Sequence, residues 1–202
     1  MSLWRAEPLV LASKSPSRKA LLEAAGIPVE IAPAAIDERA VESSKAAGAD
    51  PERVALVLAR EKALAVAATR KTSTVLGADQ TLALGTRRFS KPADIEAARA
   101  QLRELAGKTH ALHSAAAVAR GGEVVFETVA TARLAMRPLS EAFLDAYLAA
   151  AGTCVGASVG AYQLEGLGVQ LFERIEGDHF TVLGLPLLPL LAYFRSVGLV
   201  LS

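Results

Sequence analysis

LVLASKSPSRKALLEAAG, residues 9–26, decides how the chain is read. It runs from an apolar segment through three serines, two lysines and an arginine and back into helical spacing. Leu9 to Ser13 predicts a short buried strand, with Ser15 placed to cap a helix, Pro16 at its first position and Gly26 closing it. A strand that feeds a helix through such a loop is built to hold something negative. A helix N-terminus presents unpaired N–H groups and about half a positive charge, which suits phosphate. Ser13, Lys14, Ser15 and Arg18 add hydroxyl donors and cations to that end. The same residues also read as an ordinary cap with its cations on a solvated face, and the loop alone leaves both readings open.

Outward from this stretch, Asp50-Pro51-Glu52 opens a second helix through roughly Thr69, with Val54, Leu58 and Ala65 on one face. Thr74 to Gly77 predicts a short buried strand, and Asp94 caps a third helix that ends at Gly107. His110 to Arg120 and Glu123 to Arg137 flank Gly121-Gly122 as a β-hairpin. Ser140 to Ala151 returns to helix, Val169 to Ile175 forms a strand before a Gly177-Asp178 turn, and a final helix begins near Pro186. Strands alternating with helices around one antiparallel hairpin describe an α/β fold with a mixed sheet. Without repeats or a shift of composition, residues 1–202 are expected to form a single domain.

The chain has 202 residues, 52% of them hydrophobic, enough for one substantial core or two tightly joined lobes. Its 22 basic and 21 acidic residues give a net charge of +1, so no global field recruits nucleic acid or an anionic membrane. Only 5% of residues are aromatic, which leaves no stacking platform for single strands. Cys154 is the one cysteine; it excludes an internal disulfide and multi-thiolate zinc sites, and reads as a small apolar filler in a reducing compartment. The N-terminus lacks the apolar core of a signal peptide, and the proline-interrupted run LGLPLLPLLAYF is too short for a membrane span, so the expected location is the cytoplasm.

Several residues carry chemistry. In VLGADQT, Asp79 is expected directly after an apolar strand, where open α/β sheets present ligand-binding groups, and its carboxylate suits a divalent metal or a water proton. A turn or helix cap is the plainer reading. Asp37 and Glu38 are candidate companions. Lys62 flanks the apolar stripe of the second helix, either reaching into a cleft or snorkelling to water. Lys91 precedes a proline in a loop, where an exposed lysine is ordinary. Other motifs fail: Leu102 stands where a P-loop ending in Gly107-Lys108-Thr109 needs its first glycine, and the GLG at 166–168 lacks a third glycine. His110 and His113 face opposite sides of a strand and make poor joint metal ligands.

These segments occur in a telling order: LASKSPSRKALLEAAGI, IDE, AREKA, GADQT, SKPAD, LRELAGKTH, GAYQLEGLGVQLFERIEGD and VLGLPL. Over nearly the whole chain this resembles the Maf family, the septum-formation-inhibitor-like nucleoside triphosphate pyrophosphatases. The resemblance implies a mixed, twisted sheet in two lobes around a central cleft, similar to inosine-triphosphate pyrophosphatases. It implies hydrolysis of a nucleoside triphosphate to the monophosphate and pyrophosphate with a divalent metal, magnesium foremost, then manganese or cobalt. Carried over by motif, Asp79 is the general base, Ser13, Arg18, Lys62 and Lys91 hold the triphosphate, and Glu38 joins Asp79 on the metal.

The family's branches differ in the base they accept. The thymidine/uridine triphosphate branch typically has Thr after the catalytic Asp and Gln before the later Gly, where this chain has Gln80 and Glu165. Those residues resemble the branch that hydrolyses 7-methyl-GTP, whose cationic guanine suits a carboxylate. Ser17 departs from that branch, which can carry a Trp there, and so supplies none of the ~0.5–2 kcal/mol of stacking on a cationic base. The expectation is house-cleaning of modified nucleotides with 7-methyl-GTP preferred; the alternatives are a dTTP/UTP pyrophosphatase of the same family or a nucleotide-binding regulator of septum formation. The apolar C-terminal segment, together with the resemblance, points to a homodimer.

Overall fold

The computed structural model describes residues 3–201. Its strands are β1 (Leu9–Leu11), β2 (Val29–Ile31), β3 (Val75–Leu84), β4 (Arg87–Phe89), β5 (Thr109–Arg120), β6 (Glu123–Met136) and β7 (Phe172–Glu176). The helices are α1 (Pro16–Ala24), α2 (Glu38–Lys45), α3 (Pro51–Ala67), α4 (Ile95–Leu105), α5 (Glu141–Ala151), α6 (His179–Val182) and α7 (Leu187–Ser196). The sheet is mixed, in the order β2-β1-β3-β5-β6-β7 with β4 on β3. β1 runs parallel to β2 and β3, and the β3–β4 and β6–β7 pairs are antiparallel. The chain divides into two compact units, residues 1–80, 113–130 and 179–202 in the first and 81–112 and 131–178 in the second.

The first unit is layered. Side chains alternate across a strand, so β3 sends Leu76 and Ala78 to one face and Val75 to the other. Leu76 and Ala78 join Leu9, Leu11, Leu22, Leu187, Leu190 and Phe194 in a core under α1 and α7. Val75 joins Val10, Ala12, Ala55, Ala59 and Ala63 under α3. Each large apolar side chain buried this way contributes about 1.5–3 kcal/mol. Small residues line the α3 face because the helix lies close. A methyl group on Gly77 would fall 2.1 Å from the Ala59 carbonyl oxygen and 2.6 Å from the Ala63 nitrogen.

In the second unit, Leu102 and Leu105 of α4 and Leu144 and Leu148 of α5 are buried together with Leu112, Leu134 and Met136 of the sheet. The β5–β6 hairpin turns on Gly121 (φ 63°) and Gly122 (φ 87°), the paired left-handed conformation of a tight two-residue turn.

Local expectations fare unevenly. The caps Ser15, Asp50, Asp94 and Ser140 all accept from backbone N–H groups as their side chains require. The Thr74–Gly77 strand is too short, since β3 continues to Leu84 by pairing with β4. Asp79 therefore lies within a strand and not after one. Ala65 is exposed, off the buried stripe of α3 that Val54, Leu58 and Lys62 share. Helix α2, capped by Asp37, occupies a stretch for which the sequence predicts no element, and the strand expected from Val169 starts only at Phe172, because residues 167–171 form a 3₁₀ turn. Cys154 is exposed in the 3₁₀ segment Gly152–Gly156, whose buried side chain is the neighbouring Val155, so the cysteine fills no core. Among the described residues no helix is long and apolar enough to cross a membrane.

Candidate active site

The site forms where β1 stops. β1 pairs with β3 at Leu11↔Leu76, and its chain then turns through Ala12 and Ser13 into α1 while β3 runs on through Ala78 and Asp79. Asp79 is mid-strand, yet it lies beyond the last residue of β1 paired to its strand, the position where parallel strands expose ligand groups. Its side chain points to the α3 face, two residues on from Gly77. Because Gly77 admits α3 at backbone contact, Lys62, between Ala59 and Ala63 on that helix turn, is carried onto the carboxylate. Lys62 Nζ donates to Asp79 Oδ1 at 2.6 Å and lies 2.7 Å from Glu38 Oε1. Glu38 is the first residue of α2, so the Asp37 cap brings the second carboxylate into place.

Arg18 enters from the other side. It is 9% exposed, and Asp79 and Lys62 are each 8% exposed. Its Nε donates to the Gly184 carbonyl at 2.8 Å, and its Nη1 to Ser13 Oγ at 3.0 Å and to the Ala78 carbonyl at 2.9 Å. All three acceptors are neutral, so the cation is held in place without being neutralised at contact. Ser13 Oγ also accepts from the Ser15 backbone N–H at 3.2 Å, which leaves the Ser13 hydroxyl hydrogen free to donate. Ser15 in turn caps α1, accepting from the Arg18 backbone N–H at 3.4 Å. The opening loop thus offers a helix N-terminus, a hydroxyl donor and a fixed guanidinium, the parts of an anion site.

Burial raises the Asp79 carboxyl above its ordinary range; Lys62 and Arg18 pull it down and Glu38 pushes it further up. Burial lowers the Arg18 guanidinium, against Asp79 and Glu38. A carboxylate made more basic by its surroundings, with Oδ1 held by an ammonium, keeps Oδ2 to accept a proton.

The two carboxylates converge on one cation, the Lys62 ammonium. This donor set fits a hard divalent ion such as magnesium, which takes one or two carboxylates and completes its shell with water and substrate phosphate. No group of three or more His, Cys, Asp or Glu side chains suited to a metal occurs among the described residues.

The structure brings Ser13, Arg18, Lys62, Asp79 and Glu38 together within the first unit. Gln80, on the opposite face of β3 from Asp79, is half-buried, and its Nε2 donates to Ser114 Oγ at 2.9 Å and to the Thr181 and Val182 carbonyls at 3.1 Å. Ser17 is half-buried on α1, and Lys14 is exposed. Lys91, between β4 and α4, and Glu165, in the loop before the Leu167–Leu171 turn, are both exposed and belong to the second unit. Sequence reasoning passed over Gly77, Ser114 and Gly184. A glycine inside an apolar strand signals close backbone approach, and a serine inside an apolar run calls for an internal partner.

Residues 8–197 match the family described as Maf-like protein. The chain is 59% identical over 201 residues to the nucleoside triphosphate pyrophosphatase of Bradyrhizobium diazoefficiens, covering 99% of both chains. It is 56% identical over 200 residues to that of Rhodopseudomonas palustris, covering 98% of both. It is also 53% identical over 193 residues to the 7-methyl-GTP pyrophosphatase of Mesorhizobium japonicum, covering 95% of this chain and 97% of that one.

Proposed function

The chain belongs to the Maf-like protein family and is a nucleoside triphosphate pyrophosphatase, and from that premise we propose that Asp79 is its general base, that Ser13, Arg18 and Lys62 hold the triphosphate, and that 7-methyl-GTP is its preferred substrate.

The observation that carries this reading is the buried cluster of Asp79, Lys62 and Arg18 at the carboxyl end of β1. Buried charges cost free energy, and a fold that needed only stability is served as well by apolar packing. Here the chemistry explains them. The Asp79 carboxylate accepts a proton from water as the water oxygen bonds to the α-phosphorus. The bridging oxygen–α-phosphorus bond breaks, and pyrophosphate leaves with the electron pair. Lys62 holds Asp79 Oδ1 and fixes the direction of the other oxygen. Arg18 and the Ser13 hydroxyl bind phosphoryl oxygens and meet the charge that grows on them. Asp79 and Glu38 would hold a divalent cation, which would supply charge neutralisation and a lowered water pKa when bound.

The 7-methyl-GTP preference draws support from the Mesorhizobium relative and from the resemblance of Gln80 and Glu165 to that branch, which marks kinship without requiring that Gln80 touch the base. Two measurements test the proposal. Asp79→Asn removes the base while keeping size and hydrogen bonding, so pyrophosphate release should fall at least about a hundredfold while nucleotide binding persists. Unchanged turnover in that variant removes Asp79 from the mechanism. A panel of 7-methyl-GTP, GTP, dTTP and UTP should show the highest kcat/KM for the methylated nucleotide; a pyrimidine preference assigns the chain to the dTTP/UTP alternative.

A further inference from the structure

Gln80 is a specificity candidate by its place in the chain, yet its side chain is turned inward. The hydroxyl of Ser114, fully buried, donates to the Thr181 carbonyl at 2.7 Å. Its oxygen can then only accept, which requires the amide nitrogen of Gln80 on that side. The Thr181 and Val182 carbonyls, acceptors both, demand the same orientation. Three protein acceptors share the two N–H groups of Gln80, so the amide has no donor left for a ligand.

Its remaining oxygen lies beside Gly184. A methyl group on that glycine would stand 3.6 Å from Gln80 Oε1, 3.5 Å from Arg18 Nε and 3.6 Å from Arg18 Nη2. Gly184 takes φ +97°, a conformation that side-chain-bearing residues rarely adopt, and its carbonyl receives Arg18 Nε. One short backbone segment, residues 181–184, therefore receives Gln80 and Ser114 at its start and Arg18 at its end.

We propose that Ser114 and Gln80 are positioning residues: they pin residues 181–184 so that the Gly184 carbonyl aims the Arg18 guanidinium at the substrate's phosphates, and Gln80 influences turnover through Arg18 without touching the base. The inference rests on the reading of Arg18 as a triphosphate ligand. It also gives Gln80 a physical reason to differ from a threonine. The shorter threonine side chain has a single hydroxyl donor and no amide, too few donors to serve Ser114 and two carbonyls at once.

The test compares Ser114→Ala, Gln80→Glu, Arg18→Ala and the Ser114→Ala/Arg18→Ala double variant. The readouts are kcat and KM for 7-methyl-GTP, GTP and UTP, calorimetric affinity for α,β-methylene-GTP, which resists cleavage, and the thermal midpoint of each protein. Ser114→Ala should raise KM, and weaken the analogue, about fivefold for every nucleotide, with the ranking of bases unchanged. That loss should disappear in the Arg18→Ala background, because two changes in one network do not add. Gln80→Glu sets an anion against three acceptors and should cost at least about tenfold in kcat/KM, again irrespective of base. It preserves an acceptor for any direct base contact, so if Gln80 reads the base itself the ranking changes and the uniform loss does not occur.

A changed base ranking, full additivity of Ser114→Ala with Arg18→Ala, or a lowered thermal midpoint with KM and affinity untouched each overturns the positioning role. If Gln80→Glu does not fold, the Ser114→Ala cycle decides alone. If Arg18→Ala itself leaves KM and affinity at the wild-type value, the reading of Arg18 fails, which is a different result from additivity.

Discussion

Gly77 shows how much one absent methyl group decides. The 2.1 Å approach to the Ala59 carbonyl puts a side chain there against helix backbone, not against a flexible tip. Gly77→Ala must push α3 off the sheet, and is expected to cost about 3 kcal/mol or more. It also moves Lys62 from Asp79. Denaturant midpoints and kcat/KM measured on the same preparation should both fall; a variant with wild-type values in both shows that α3 can shift without consequence for the site. Lys62 itself pulls the Asp79 carboxyl down, against the effect of burial. Lys62→Met removes that pull, so Asp79 holds its proton to higher pH and the acid limb of kcat/KM moves upward. An acid limb that stays in place means another group titrates there. Neither effect was readable from the chain, where a lysine on a helix flank more commonly snorkels to water than reaches into a cleft.

At the scale of elements, β5 is fastened to the segment that follows the Val159–Ala161 turn. His110 Nε2 lies 2.7 Å from the Tyr162 hydroxyl while its Nδ1 has no partner, and the Tyr147 hydroxyl donates to the Ala161 carbonyl at 3.1 Å. Burial pushes the Tyr147 phenol up to about 12 and raises Tyr162 as well, so both hydroxyls stay protonated at neutral pH. Burial also lowers His110 from 6.5 to about 4. In the folded protein His110 therefore stays neutral down to that value, whereas the unfolded chain takes up its proton near 6.5. Its contribution is fully favourable above about pH 6.5 and is lost as pH falls towards 4, by about 3 kcal/mol in all. His110→Gln should flatten the fall in unfolding free energy between pH 7 and pH 4.5; an equally steep fall in the variant assigns the acid sensitivity elsewhere. The spacing of His110 and His113 correctly sets them on opposite strand faces, but no pattern in the chain joins His110 to Tyr162 across 52 positions.

At the scale of the whole molecule, the proposed phosphate ligands Ser13, Arg18 and Lys62 lie in the first unit, and nucleotide binding should stabilise it by linkage. A nucleotide at a hundred times its dissociation constant adds about 2.7 kcal/mol. For a chain of this length that is roughly 5–10 °C in thermal midpoint. The uncleaved α,β-methylene-GTP should produce this shift in the wild type and a much smaller one in Arg18→Ala at the same concentration. Equal shifts in both proteins place the phosphates away from Arg18.

What the chain determined by itself is local. Caps at Ser15, Asp50, Asp94 and Ser140, the Gly121-Gly122 turn and the apolar strands follow from short-range hydrogen bonding, backbone freedom and the period of burial, and together they give a mixed α/β fold. The order of its motifs carried the family. Only the tertiary structure decided that Asp79 stands within a strand, that Lys62 is buried between two carboxylates, and that Gln80 faces inward. Each of these depends on how far a neighbouring strand extends or how closely a helix approaches, distances between residues far apart along the chain that no local pattern encodes.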